Sequence, residues 1–221
     1  MIELAKHKNY QKNVFINCPF DDKYFDLLQT LVFTICYYNF IPRISLESSD
    51  SGQPRLEKIV QLIEESKYSI HDLSRLQSKS ANEYYRLNMP FELGIDYGLR
   101  KFNASYADKR SLILETERYD YMKAISDING FDIKNHDDVP IKLIECLRAC
   151  FSETVKLTNL NVSDKVYFDF INFNTKLFQQ KMVKYQADHN TTEAEKFAAK
   201  EIEEMTIPEY ILEIEEWKRS K

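Results

Sequence analysis

The stretch NVFINCPFDD, Asn13 to Asp22, decides the fold. Asn13-Val-Phe-Ile-Asn17 is an apolar run short enough for a strand buried on both faces. Cys18-Pro-Phe20 breaks the run, and Asp21 and Asp22 provide an acidic helix start. A buried strand that passes through a short loop into a helix is the opening half of a βαβ unit. The helix, about Asp22 to Asn39, is expected to bury Phe25, Leu28, Val32 and Ile35 on one face.

The same alternation continues downstream. Ile41 to Glu47 reads as a second strand, with Pro42 confined to its start, and Ser48 to Gln53 as a polar loop. Pro54 suits a first helical turn, and Leu56, Ile59, Val60 and Ile63 recur at helical spacing up to Lys67. Tyr68 to Asp72 is the third strand. The polar stretch from Ser74 to Leu87 exceeds the usual length of an α/β connection, which points to a lid or rim. Asn88 is expected to cap the next helix. Ser111 to Glu115 is a fourth strand, Tyr119 to Ile128 a short helix, Phe131 to Asn135 a fifth strand, and Val139 to Phe151 a closing helix. This pattern predicts an α/β, flavodoxin-like domain whose five-stranded parallel sheet has order 2-1-3-4-5 and is covered on both sides.

Three segments result: a polar start (1–12), the α/β domain (13–151) and a helical C-terminal extension (152–221). Within the extension, Ser163 is placed as the cap of a helix through about Tyr185, and Thr192 with Glu195 and Thr206 with Glu209 match capping boxes. The extension either packs on the sheet domain or serves self-association and partner contact.

The charge balance, 30 Lys+Arg against 35 Asp+Glu with a net charge of -5, gives no broad field for nucleic acid, although Lys6, Lys8 and Lys12 cluster near the start. Cys18, Cys36, Cys146 and Cys150 form no C-x-x-C pair and read as reduced core thiols, with no metal site. No run reaches the ~18 apolar residues of a membrane span and no early segment has signal-peptide character, so a cytoplasmic location is expected. Walker, G-x-G-x-x-G and H-E-x-x-H motifs do not occur, which removes P-loop transfer, a standard dinucleotide fingerprint and zinc proteolysis.

The chemistry concentrates in NMPFELGIDYG, Asn88 to Gly98, which holds two of the chain's 4 glycines. A glycine inside a helix costs roughly 1 kcal/mol relative to alanine, a cost explained where another backbone or a ligand comes close. Ligands of open parallel sheets bind beyond the carboxyl ends of the strands where strand order reverses, here between strands one and three. Asn17, Cys18, Pro19, Phe20, Asp21 and Asp22 should border that crevice from one side, and Asp72, Ser74 and Arg75 from the other. Glu92, in the first helical turn, should open onto it and stay ionised near the helix amino end. An ionised carboxylate there suits stabilisation of, or attack on, the oxocarbenium-like carbon of a breaking glycosidic bond. Phe20 or Phe91 would stack on a base, and Arg75 or Arg43 would hold a phosphate. Each has an ordinary reading as well: core aromatics, surface arginines, a capping or salt-bridging glutamate. His71 reads as a strand histidine rather than a base. Asp21, Asp22 and Asp72 also match, in part, the acidic pocket of a phospho-accepting receiver domain. That reading leaves Glu92 and its glycines unexplained, and Lys134-Asn135 stands where Lys-Pro is expected.

At these residues the chain resembles the superfamily that joins Toll/interleukin-1 receptor (TIR) domains and nucleoside 2-deoxyribosyltransferases, and within it a group of bacterial TIR-like proteins. The segments that carry the resemblance are NVFINCPFDD, PRISLE, YSIHDLSR, NMPFELG and SDINGFDIKNH, spanning about residues 13 to 136. The resemblance implies that Glu92 is the catalytic glutamate that cleaves an N-glycosidic bond of a nucleoside or of NAD, with NAD as substrate rather than cofactor. Asn17, Cys18, Pro19, Phe20, Asp21, Asp72, Ser74, Arg75, Asn88 and Phe91 would then contact substrate. Arg86-Leu87-Asn88-Met89 stands in place of the Asp-Ser-Gly-Thr of the transferases, and Asn88-Met89 in place of the Trp-Cys of TIR enzymes, which favours plain hydrolysis, or nucleotide binding alone, over transfer to a second base. The resemblance further implies a role in bacterial anti-phage defence, as a homo-oligomer or with a partner protein of the defence system. The rival expectation is a module that binds a nucleotide signal without turnover.

Overall fold

The computed structural model describes residues 6–76, 87–123 and 125–221. The expected lid, Ser74 to Leu87, falls largely outside them. Five parallel strands form one sheet: β1 (Asn13–Asn17), β2 (Ile41–Ile44), β3 (Tyr68–Asp72), β4 (Arg110–Glu115) and β5 (Lys134–Asn135), in the order β2-β1-β3-β4-β5. This is the flavodoxin-like α/β arrangement, with the reversal of strand order between β1 and β3. Every residue of β1 is buried, because helices cover both faces.

Four helices complete this unit: α1 (Phe25–Tyr37), α2 (Arg55–Glu64), α3 (Asn88–Phe102) and α4 (Pro140–Glu153). α1 packs against α4, and α2 against α3. Under α2 and α3, Phe15 meets Ile59, Leu62, Ile63, Ile95 and Leu99. Against α4, the Phe151 ring lies 5.0 Å from both Tyr38 and Phe40. The polar amino-terminal segment also enters the core: Tyr10 is buried, and its carbonyl accepts the Lys67 amide at 3.0 Å.

Several elements are shorter than their sequence patterns predict, each for a local reason. The second strand stops at Ile44 because the Glu47 carboxylate folds back to accept the Ile44 amide (3.3 Å) and to pair with Arg43 (2.9 Å), closing a 3-10 turn over Ser45–Glu47. A 3-10 turn, Asp22–Tyr24, capped by the Asp21 carboxylate, precedes α1. The helix expected over Tyr119 to Ile128 is instead two 3-10 turns, since Glu115 draws in the amides of Tyr119 (2.7 Å) and Tyr121 (3.3 Å). The fifth strand keeps two residues, and Phe131 packs its ring 5.7 Å from Tyr97. Pro54 is the amino cap of α2 rather than part of its first turn.

The chain divides into two compact units, Met1–Leu160 and Asn161–Lys221. The second is all helical: α5 (Ser163–Gln186), α6 (Thr191–Glu203) and α7 (Ile207–Arg219). Phe173 anchors its core, 5.4 Å from Tyr210 and 5.8 Å from Trp217. The Thr206–Glu209 capping box forms, whereas Thr192 and Glu195 make none. Asn190, one residue before the helix, caps α6 instead by accepting the Glu193 amide. Val162, not Ser163, precedes α5 as its cap residue. Among the described residues, no helix is long and apolar enough to cross a membrane.

Candidate functional site

α3 follows β3, so its amino end opens at the carboxyl edge of the sheet beside the reversal point. The helix begins earlier than the sequence suggests. Leu87 is its cap residue, Asn88 is exposed and makes no capping bond, and Glu92 lies in the second turn, not the first. Only the first-turn amides of a helix lack intrahelical partners, so Glu92 is not a capping carboxylate.

Glu92 is only 7% exposed, and no hydrogen bond or ion pair to it is present among the described residues. Burial pushes its carboxyl up to about 7, against the weaker opposing pull of Arg55. The expectation of a fully ionised Glu92 is therefore corrected. Desolvation outweighs the helix dipole, which acts within the first turn and has faded at the second.

The helix is gripped on both sides of Glu92. One turn before it, the Asn17 amide donates to the Met89 carbonyl (2.9 Å) and lies 3.1 Å from His71 Nδ1. One turn after it, Asp96 is buried, accepts from the Ser111 hydroxyl (3.0 Å) and the Ser69 hydroxyl, lies 3.1 Å from His71 Nε2, and forms an ion pair with the Lys109 ammonium at 3.1 Å. Lys109 is fully buried and also donates to the carbonyls of Ile63 and Ser66. Burial alone would raise Asp96, but His71, Lys109 and Ser69 hold it well below the usual carboxylate range. Burial pulls Lys109 down even beside that carboxylate. Asp96 stands four residues after Glu92, on the same helical face, a spacing legible in the sequence.

A second buried network ties the strand ends together. Asp72 accepts the Ser74 amide (2.9 Å), His136 Nε2 (2.9 Å) and the Tyr24 hydroxyl. Ser74 Oγ lies 3.2 Å from the same His136 nitrogen and 2.8 Å from the Thr116 hydroxyl, which donates its one proton to Asp138 (3.0 Å). Arg75 pairs with Asp138 at 2.7 Å and approaches Asp21 at 4.0 Å. This is not a nucleophile triad: serine and aspartate address one nitrogen of His136, and the other accepts the Asp138 amide at 3.2 Å. A phospho-accepting role for Asp72 meets the same obstacle, since it is fully buried and bonded through both oxygens.

Burial would raise Asp72 and lower His136; their mutual bond reverses both directions, so Asp72 titrates lower and His136 higher than usual. Stability from the raised histidine is present at low pH and lost as pH rises through its folded value. That from the depressed carboxylate is lost as pH falls through its own. His136→Gln is therefore expected to remove the slope of stability against pH just above the ordinary histidine value, measured by urea melts across that range.

The expected site residues thus separate. Phe20, Asp22, Asn88 and Phe91 are exposed, whereas Glu92 is buried. Asn17, Cys18, Pro19, Asp72 and Ser74 are buried, and burial pushes the Cys18 thiol up. Arg75 and Asp21 are held in contacts of their own, and Arg43, the other expected phosphate holder, is bound by Glu47 and Glu65, each at 2.9 Å. The sequence reading missed Tyr24, Asp96, Lys109, Thr116, His136 and Asp138. Only His136 lay inside a segment noted for its resemblance, SDINGFDIKNH.

The helix glycines have no steric cause in the described residues: a Cβ at Gly94 or Gly98 would meet nothing within 4 Å. The expected close approach is therefore not observed. Gly94→Ala should stabilise the fold by about 1 kcal/mol, read from the denaturation midpoint.

A cavity of about 380 Å³ lies elsewhere, at the β4–β5 edge between α3 and α4, and its lining, which includes Tyr97, Phe131 and Cys150, excludes Glu92. No group of three or more His, Cys, Asp or Glu among the described residues has metal-holding geometry. Comparison with protein-family models, curated proteins and solved structures finds no match.

Proposed function

We propose that this chain is a TIR-like N-glycosidase that hydrolyses the nicotinamide–ribose bond of NAD. It would act in the bacterial cytoplasm as part of an anti-phage defence system, as a homo-oligomer or with a partner protein of that system. The observation that carries the reading is Glu92: a buried carboxyl with no partner among the described residues, on a helix opening where strand order reverses. Leaving a carboxyl desolvated and unpaired costs stability, and such groups cluster at functional sites.

The C1′–N bond breaks with its electron pair passing to the cationic pyridinium ring, so nicotinamide leaves neutral and needs no proton. The ionised Glu92 stabilises the positive charge at C1′. Water adds to that carbon and gives its proton to Glu92 or to solvent. Phe20 and Phe91, both exposed, would offer rings for stacking on a base.

Because the working form is the carboxylate, kcat/KM should rise with pH and level off above about 7, the value to which burial brings Glu92. Nicotinamide release from NAD, followed by chromatography for the wild type and Glu92→Gln, tests the reading. Release that is equal in the two proteins removes the mechanism. Tight NAD binding with no product replaces it with the non-catalytic binding module.

A further inference from the structure

We propose that Arg55 is a specificity-determining residue that selects a ribose bearing a phosphate over an unphosphorylated nucleoside. The inference rests on the glycosidase reading of the same crevice and names the substrate class within it.

The geometry comes from two packed helices. α2 and α3 both follow strands of a parallel sheet, so they run in one direction and start at the same edge. Ile59 and Ile63 of α2 share one cluster with Ile95 and Leu99 of α3. One turn back from Ile59 is Arg55, and one turn back from Ile95 is Glu92, so both lie in the amino-terminal parts of their helices, toward the same edge of the sheet. The charge of Arg55 indeed acts on the Glu92 carboxyl.

The other arginines considered for a phosphate are engaged: Arg43 by Glu47 and Glu65, Arg75 by Asp138. Arg55 is exposed and forms no ion pair among the described residues. It is also the first residue of α2, whose cap, Pro54, supplies no side-chain bond, so the positive end of that helix adds to the guanidinium. A ribose whose C1′ faces Glu92 carries its 5′ substituent away from the reacting bond, and a phosphate there meets the planar donor fork of Arg55.

The test compares two ligands that differ by one phosphate, nicotinamide mononucleotide and nicotinamide riboside. Binding is followed by ligand-observed NMR, and nicotinamide release is followed in parallel. Wild-type protein should bind the nucleotide about tenfold to a hundredfold more tightly, the range of a charge-assisted hydrogen bond. In Arg55→Gln that preference should fall to about one with riboside affinity unchanged, and Arg55→Lys should restore part of it. An unchanged preference in Arg55→Gln overturns the assignment, as does failure of the wild type to bind the nucleotide. Binding with the expected preference but no release for either ligand removes the glycosidase reading alone and leaves Arg55 as the phosphate contact.

Discussion

Glu92→Gln is expected to lower nicotinamide release by about a hundredfold to a thousandfold while making the fold more stable at pH 8. The two effects share one cause. Burial raises the carboxyl from 4.5 to about 7, so the folded chain holds this proton more tightly than the unfolded chain does. Between those values the folded state binds more protons, and stability falls as pH rises. The contribution is fully present below the unfolded value and gone above about 7. A displacement of that size corresponds to about 3 kcal/mol, and the solvent contact that the side chain keeps reduces this to about 1 to 2 kcal/mol. Glutamine has no charge to desolvate and escapes the loss. Urea melts at pH 5 and pH 8 check the sign: the wild type should lose stability over that interval relative to the variant. A variant equally stable at both values relative to wild type would mean that Glu92 is not desolvated. The trade of stability for activity is the pattern expected of a working carboxyl rather than of a packing residue.

Lys109→Met should destabilise the fold by about 3 to 5 kcal/mol, the largest loss expected of any single change here. It removes the cation 3.1 Å from Asp96 and leaves a carboxylate buried beside His71, Ser69 and Ser111. Asp96→Leu should cost a similar amount, because it leaves an ammonium buried among the carbonyls of Ile63 and Ser66. The double variant should recover much of the loss, since neither charge is then stranded in a low-dielectric interior. Urea midpoints of the four proteins form the cycle. A double variant no better than the sum of the two singles would show that the pair is not coupled. The same network fixes α3 from Met89 to Asp96, so the single variants should also loosen the Glu92 crevice, visible as faster amide exchange in the first two turns of α3.

The strand–helix alternation, the parallel sheet and its order were legible from periodicity because strands buried on both faces and amphipathic helices leave direct patterns. β3 is read at its observed limits, Tyr68 and Asp72. Where local side chains compete with the backbone, the pattern misled: Glu47 shortens β2, and Glu115 turns a helix into two tight turns. The place of Glu92 near the amino end of α3, at the carboxyl edge of the sheet, follows from topology, and topology from sequence. Its charge state does not, since burial by residues distant along the chain sets it.

By itself, then, the sequence determined most of the elements that form, the sheet to which they belong and the order of its strands, because these depend on spacing along the chain. Only the tertiary structure decided which charged groups are engaged and which are open. Asp72 and His136 stand 64 residues apart along the chain and meet at 2.9 Å, Arg75 is paired with Asp138, and neither Arg55 nor Glu92 has an ion-pair partner among the described residues. Such pairings depend on distance and desolvation in the folded chain, and no local pattern encodes either.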